Sequence, residues 1–490
     1  MSKISTSYRQ SLKSASVFGG AQLFNILILL IRSKIIAVLL GPVGLGIMGL
    51  LQNTISLVST ATSFGLGISA VREISEAENS DDKTKLSEVI SILKNLIIIT
   101  GIFGLLITAI LSPILSKATF GNFDYTWEFV FLSFAVLFTQ FSNGSLALLQ
   151  GFRKIKILAK VNIYASSLGL LFSLPLYYFY GNQGIVPSMI LTTVIVYFIN
   201  FYFSNKIKIR TIVYSFKSTI TKGRGMLKLG FMLSLSSLLS VVASYAIRLY
   251  ISNVGSVAEV GLYSAGFTIV STYVGLVFTA MGTDYFPQLS AINNDLNKAS
   301  QLIQQQAEIA LIILAPLICI FMVFIDEITL LIYSKEFLPI SGMIHFAMLG
   351  IIFKAVSWSI SFLFLARADS KIFLYNETAT HIYSLLLNII GYHFFGLKGL
   401  GIGFLIGYFV YLLQVYLVCK WRYGLKLNIK LFALMVIYII LAISAFYFST
   451  VLSGFMLYLV GGILIIIVTL FSLYLLNRRI QIFKLLNRKS

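Results

Sequence analysis

Long apolar runs alternate with short polar connectors along the whole chain. Fourteen such runs occur, at 12–40, 44–71, 86–113, 125–149, 157–179, 183–204, 229–253, 258–283, 301–325, 338–366, 371–394, 398–419, 431–449 and 453–477. A helix needs about 20 apolar residues to cross a hydrocarbon core. The pattern therefore predicts an all-α integral membrane protein with about fourteen transmembrane helices. An even number of crossings puts both termini on one side. No connector is long enough for a soluble domain.

The basic residues fix which side that is. Thirty of the 37 Lys and Arg fall in the N-terminus and in alternate connectors, at 72–94, 153–160, 206–228, 284–298, 367–371, 420–430 and 478–489. The other connectors hold Lys117, Lys335 and Lys398. Lys and Arg are retained on the cytoplasmic side of membrane proteins, so both termini are expected to be cytoplasmic. The net charge of +20 is then a product of topology and gives no reason to expect nucleic-acid binding. Charged residues make up 11% of the chain, against about 25% in soluble proteins. The basic start is followed by too long an apolar run, without an A-x-A pattern, to be a cleavable signal.

The chain reads as duplicated with an offset near 215 residues. Val43-Gly44-Leu45-Gly46-Ile47-Met48-Gly49 is similar to Val260-Gly261-Leu262-Tyr263-Ser264-Ala265-Gly266. The basic segment around Arg153 matches that around Arg367, and Gly181-Asn182-Gln183-Gly184 matches Gly396-Leu397-Lys398-Gly399. Six runs per half give a parallel repeat, the arrangement in which a transporter holds its substrate between the halves. The expected organisation is a six-helix lobe over 1–205, a basic linker over 206–228, a second lobe over 229–420, and an extra hairpin with a basic tail over 421–490.

Polar residues inside the runs form stripes, and in lipid such stripes must face protein or water. Run 1 carries Gln22, Asn25 and Arg32; run 2 Gln52, Ser56, Ser59 and Ser63; run 4 Gln140, Asn143 and Gln150; run 7 Ser237, Ser240, Ser244, Arg248 and Ser252; run 10 Lys354, Ser357 and Ser361. Serine alone is equally suited to joining helices. The cations carry more information, because an Arg or Lys inside the bilayer costs roughly 3 kcal/mol even by the lower estimates. No acid in runs 1, 7 or 10 can neutralise them. Arg32, Lys34, Arg248 and Lys354 are therefore candidate partners for an anionic substrate. Against this stand snorkelling of Arg32 and Lys34 to the interface and pairing with acids on other helices. Glu377 and His381, four apart in run 11, form a candidate proton-coupling pair, although Glu377 lies near the end of its run.

Soluble-enzyme chemistry is absent from the pattern. There is no G-x-x-x-x-G-K-[ST] phosphate loop. No His, Cys or carboxylate cluster has metal-ligand spacing, and Cys319 and Cys419 form no disulfide framework. The connectors expected outside the cell are too short to hold a glycan-ligating site.

The segment Lys34-Ile35-Ile36-Ala37-Val38-Leu39-Leu40-Gly41-Pro42-Val43-Gly44-Leu45-Gly46 resembles the first-hairpin signature of Wzx-type polysaccharide flippases of the MOP superfamily. Val260–Gly266, Tyr285-Phe286-Pro287-Gln288-Leu289-Ser290 and Leu149-Gln150-Gly151-Phe152-Arg153-Lys154 are similar to further elements of that group. The resemblance implies two MOP/MATE-like six-helix bundles and a non-enzymatic flippase. The implied substrate is an undecaprenyl-diphosphate-linked glycan of O-antigen or enterobacterial common antigen (lipid III) type. It also implies no cofactor, an inner-membrane location among membrane lipids, and a polysaccharide polymerase and chain-length proteins as partners. The fourteen runs depart from the twelve of many Wzx proteins and match the lipid II flippase branch in number. A multidrug exporter of the same superfamily and a scaffold or scramblase of a glycan-assembly complex remain open alternatives.

Overall fold

The computed structural model describes residues 2–80, 82–207, 212, 214–292 and 294–480; within these, side chains are described between Phe24 and Arg478, apart from Thr283. The described residues are helical, with no strand among them. Two compact units form, Met1–Gly261 and Leu262–Ser490. The first contains α1 (Ser2–Thr62), α2 (Leu66–Asn79), α3 (Lys83–Ile110), α4 (Ser112–Phe120), α5 (Thr126–Gly151), α6 (Ile155–Tyr180), α7 (Ile185–Asn205) and α8 (Phe216–Val254). Helix α9 (Val257–Thr268) runs across the boundary. The second unit continues through a π-helical stretch (Ile269–Tyr273), α10 (Gly275–Ala291), α11 (Leu296–Val323), α12 (Ile325–Ile332), α13 (Ser341–Ala366), α14 (Ser370–Tyr423), α15 (Ile429–Val451) and α16 (Gly454–Ile480).

Eleven helical stretches among the described residues are long and apolar enough to cross a membrane, which makes this a multi-pass membrane protein. The apolar pattern gave fourteen runs. The difference arises where two runs join through a turn so tight that helix is nearly unbroken: at Gly41, at Gly181–Gly184 and at Gly396. Gly41 (φ 63°, ψ −168°) and Gly396 (φ 56°, ψ −140°) adopt conformations that a side chain would disfavour. At Gly396 the chain doubles back. Tyr423 bonds Asp369 at 3.0 Å, Gln414 bonds Asn376 at 2.7 Å, and Tyr411 bonds Glu377 at 3.0 Å. Nearer the turn, a methyl group on Gly391 would lie 2.4 Å from the Gly399 carbonyl oxygen. These pairs run in antiparallel register along the whole of α14, so its 54 residues form a hairpin. In α6 and α7 the Ser188 hydroxyl meets that of Tyr177 at 2.8 Å, and the Tyr164 and Phe203 rings stack with centroids 6.1 Å apart.

The glycines of the first-hairpin signature have a steric role. A methyl group at Gly46 would lie 1.9 Å from the Val257 carbonyl oxygen, and one at Gly261 would lie 1.9 Å from that of Pro42. Two backbones thus cross in direct contact, which small residues permit in a medium where hydrophobicity does not drive helix association.

In the second unit, α11 is the most enclosed of the described membrane-length helices and packs against α13, α15 and α16. Tyr438 of α15 and Ser472 of α16 place their hydroxyls 3.0 Å apart, and Phe324, between α11 and α12, stacks on Tyr458 of α16. Tyr458 also donates to Glu327. Polar connectors supply the helix caps: Asp82 accepts from the backbone N–H groups of Thr84 and Lys85 before α3, and Asp295 from that of Lys298 before α11.

Candidate functional site

The pattern predicted one continuous helix over 44–71. Instead the chain breaks after Thr62, where Phe64 (φ 48°) and Gly65 (φ 63°) are both left-handed, and resumes as α2. A non-glycine residue in that region is uncommon and carries strain. The break lies among packed membrane-length helices, where its polar groups need partners. Gln140 of α5 supplies one: its Nε2 donates to the Ser59 carbonyl at 2.7 Å and approaches the Thr62 hydroxyl at 3.3 Å. Helix α8 passes so close that a methyl group at Gly65 would lie 2.0 Å from the Gly230 carbonyl oxygen.

Beside this break is a cavity of about 550 Å³. Ser56, Ser59 and Thr60 of α1, Ser63 at the break, Thr139, Gln140, Asn143 and Gln150 of α5, and Ser234 and Ser237 of α8 supply its polar lining. Three stripes read from the sequence therefore meet in one place. The lining sets these hydroxyls and carboxamides beside the apolar side chains of Leu66, Ile68, Val71, Ile97 and Leu146, and none of its residues carries a charge. Such a surface can exchange hydrogen bonds with a neutral, hydroxyl-rich molecule.

The other predicted residues lie elsewhere. Asn25 is half-buried and accepts from Ser166 of α6 at 2.8 Å, so it joins helices. Gln52 is exposed, and its carbonyl accepts from Ser56. Ser240 is exposed on α8. Ser357 is fully buried and donates to the Lys354 carbonyl. Gln22 lies outside the residues whose side chains are described.

None of the four cations lines this cavity. Arg248, only 7% exposed, donates to both the carbonyl (2.9 Å) and the hydroxyl (2.5 Å) of Ser244, and Ser244 in turn bonds Asn53 at 3.2 Å. The serine four residues earlier on the same helix face thus gives the guanidinium two neutral acceptors. Lys354 is half-buried, with Nζ 5.2 Å from the Phe278 ring centroid and 5.3 Å from that of Tyr408. The ring faces offer a cation a favourable site without an acid. Arg32 and Lys34 are half-buried on α1. Glu377 accepts from Tyr411, while half-buried His381 makes no hydrogen bond among the described residues. Among those residues, no group of three or more His, Cys, Asp or Glu could hold a metal ion.

Sequence reasoning missed Phe64, Gly65 and Thr62. The signal available was Ser63-Phe64-Gly65-Leu66-Gly67, two glycines inside an apolar run and next to a serine stripe.

Comparison with known proteins agrees with this architecture. The structure is similar to the lipid II flippase MurJ in an inward closed conformation, with a TM-score of 0.73 and 16% identity over 94% of this chain and 99% of that one. It is also similar to a multidrug resistance MATE family transporter of the MOP superfamily in its inward-facing conformation, with a TM-score of 0.68 and 16% identity over 84% of this chain and 95% of that one. A Shigella flexneri protein described as a "Putative O-antigen transporter" is 27% identical over 293 residues, 57% of this chain and 66% of the relative, just under two thirds of its length. The resemblance to Wzx-type polysaccharide flippases carried by the Gly41-Pro42-Val43-Gly44-Leu45-Gly46 hairpin is borne out. Residues 35–342, more than half of the chain, match the family described as "Polysaccharide biosynthesis protein", and the chain belongs to that family.

Proposed function

We propose that this protein is a flippase. Its substrate is an undecaprenyl-diphosphate-linked oligosaccharide, moved from the cytoplasmic to the periplasmic leaflet of a bacterial inner membrane for O-antigen-like surface polysaccharide. The observation that carries this reading is the uncharged, hydroxyl- and amide-lined cavity at the α1–α2 break, in a chain of the polysaccharide biosynthesis family. A glycan presents hydroxyls, and the lining can both donate to them and accept from them. An exporter of organic cations needs carboxylates in its cavity; this lining has none.

In this reading the chain crosses the membrane fourteen times with both termini cytoplasmic. The lobes 1–205 and 229–420 alternate access, 206–228 links them, and 421–490 adds a hairpin. Arg248 and Lys354 bind the diphosphate, with Arg32 and Lys34 assisting, and the Glu377–His381 pair couples the cycle to protons. A polysaccharide polymerase and chain-length proteins receive the product.

The deciding experiment is a clean deletion in a host without a paralogue. Lipid-linked glycan should accumulate on the cytoplasmic side and surface polymer should disappear. Normal surface polymer in the deletion would refute the flippase reading, and strong efflux of organic cations by the purified, reconstituted protein would favour the exporter.

A further inference from the structure

A second, apolar groove of about 380 Å³ lies between α3, α5 and α7. Leu93, Ile98, Phe141, Tyr197 and Phe201 form its walls, and the Tyr197 ring contacts those of Phe141 and Phe201 with both centroids 5.6 Å away. Lys94, Ser204 and Asn205 line it at the C-terminal end of α7. Ile97 and Gly144 belong both to this groove and to the polar cavity. They touch across the α3–α5 seam: a methyl group at Gly144 would lie only 1.9 Å from Ile97 Cδ1. The division between polar and apolar compartments is therefore one flexible side chain resting on a residue that has none.

Three chemistries sit within a turn of that contact. Gln140 and Asn143 precede Gly144 on the polar side, Phe141 and Tyr197 lie on the apolar side, and the exposed ammonium of Lys94 stands one residue triplet before Ile97. A lipid with a neutral polar head, a phosphate and a hydrocarbon chain offers the same three, and in this entry pose its diphosphate meets Lys94 before it reaches Arg248 and Lys354. From this continuity we propose that the groove holds the isoprenoid chain of the substrate while its glycan occupies the cavity, with the chain passing between Ile97 and Gly144. The proposal rests on the flippase reading and adds to it the route by which the two parts of the substrate are kept apart.

The membrane already solvates a hydrocarbon chain, so the groove gains little from hydrophobicity itself. What it supplies is position: a chain held against Phe141 and Tyr197 keeps the head at the cavity. Loss of such alignment costs rate even where binding is unchanged.

The test places the photoreactive residue p-benzoylphenylalanine at Phe201 in the groove, at Asn143 in the cavity, and at the lipid-facing Leu106 of α3 as control. The full-length protein is used in cells that make the lipid-linked glycan, and adducts are identified by mass spectrometry. Adducts of the lipid-linked glycan are expected at Phe201 and Asn143, about tenfold above Leu106 if the groove aligns its occupant. Capture at Asn143 with only phospholipid at Phe201 would overturn the groove and leave the flippase reading standing. No lipid-linked glycan at either position would overturn both. A second readout uses proteoliposomes with undecaprenyl- and farnesyl-diphosphate-linked N-acetylglucosamine. Tyr197→Ala/Phe201→Ala should lose the wild-type preference for the longer chain, and an unchanged preference would overturn the groove.

Discussion

The two units use the same polar residue types in opposite ways. In the first, Gln140 reaches across to a carbonyl at a helix break, and the neighbouring Asn143 and Ser56 are left facing a cavity. In the second, Gln414 and Asn376 bond each other, Tyr411 bonds Glu377, and Tyr423 bonds Asp369, all along one helix hairpin. A stripe of amides and hydroxyls on a membrane helix is therefore not a cavity in itself. The difference is whether the backbone beside it is broken. An unbroken pair of helices lets side chains satisfy each other, while a break such as Thr62–Leu66 draws them out of register and leaves room.

The largest effect tests the break directly. Gly65→Val would force a β-branched side chain into a left-handed position and against the Gly230 carbonyl. It is expected to cost about 3 kcal/mol and to abolish translocation, measured by thermal denaturation in detergent and by flipping in vesicles. A folded, active Gly65→Val protein would show that the break does not make the site. Next, Gln140→Leu removes the side-chain donor to the Ser59 carbonyl, which keeps the Ser63 N–H as its other donor; it should cost about 1 kcal/mol and reduce translocation less than Gly65→Val does. Gln414→Leu should cost a similar amount of stability and leave the rate per folded molecule unchanged. Equal loss of rate in both would erase the contrast between cavity and seam.

The cations sharpen the comparison at smaller scale. Arg248→Ala should insert and fold but flip poorly if the guanidinium binds diphosphate, and Arg248→Glu should be worse. Lys354→Met keeps a flexible apolar stem between Phe278 and Tyr408 and should cost only about 0.5–1 kcal/mol in stability. Its rate then reports whether the charge acts on substrate. The smallest effect is expected outside the membrane, at Asp82→Ala. Hydrogen bonds from Thr84, and from the Lys85 backbone, hold the Asp82 carboxyl below its ordinary pKa. Its contribution is complete above the unfolded carboxylate pKa and is lost as pH falls through the lower folded value. Melting curves of wild type and Asp82→Ala should therefore converge on acidification.

Much of this was legible in the sequence, and the remainder has physical reasons for being hidden. Helix spacing in runs 2, 4 and 7 located the residues that meet at the cavity, because a stripe at steps of three and four survives folding unchanged. The same spacing carried the Ser244–Arg248 pair, but a serine four residues before an arginine reads as decoration until the guanidinium is seen to fold back. Phe64 itself gave no warning, since its ring stacks on Phe103 of α3 and its carbonyl lies against Gly230 of α8, contacts that no local pattern announces. The aromatic niche of Lys354 joins residues from α10, α13 and α14 that no local pattern connects. The kink at Gly41 and the reversal at Gly396 were visible as glycines, although junctions of such economy let two spans merge into one helix.

The one-residue reversal at Gly396 also constrains how the protein can move. Two helices joined through a single glycine cannot drift apart at the joint, because the covalent chain there has no slack. Each such hairpin behaves like a pair of tongs pivoted at the bend: its arms can splay only at the far end, and by an amount that grows with distance from the glycine. For the hairpin folded at Gly396, the far end is where Tyr423 bonds Asp369, with Arg422 3.7 Å from the same carboxylate. That latch is the contact which the bend constrains least.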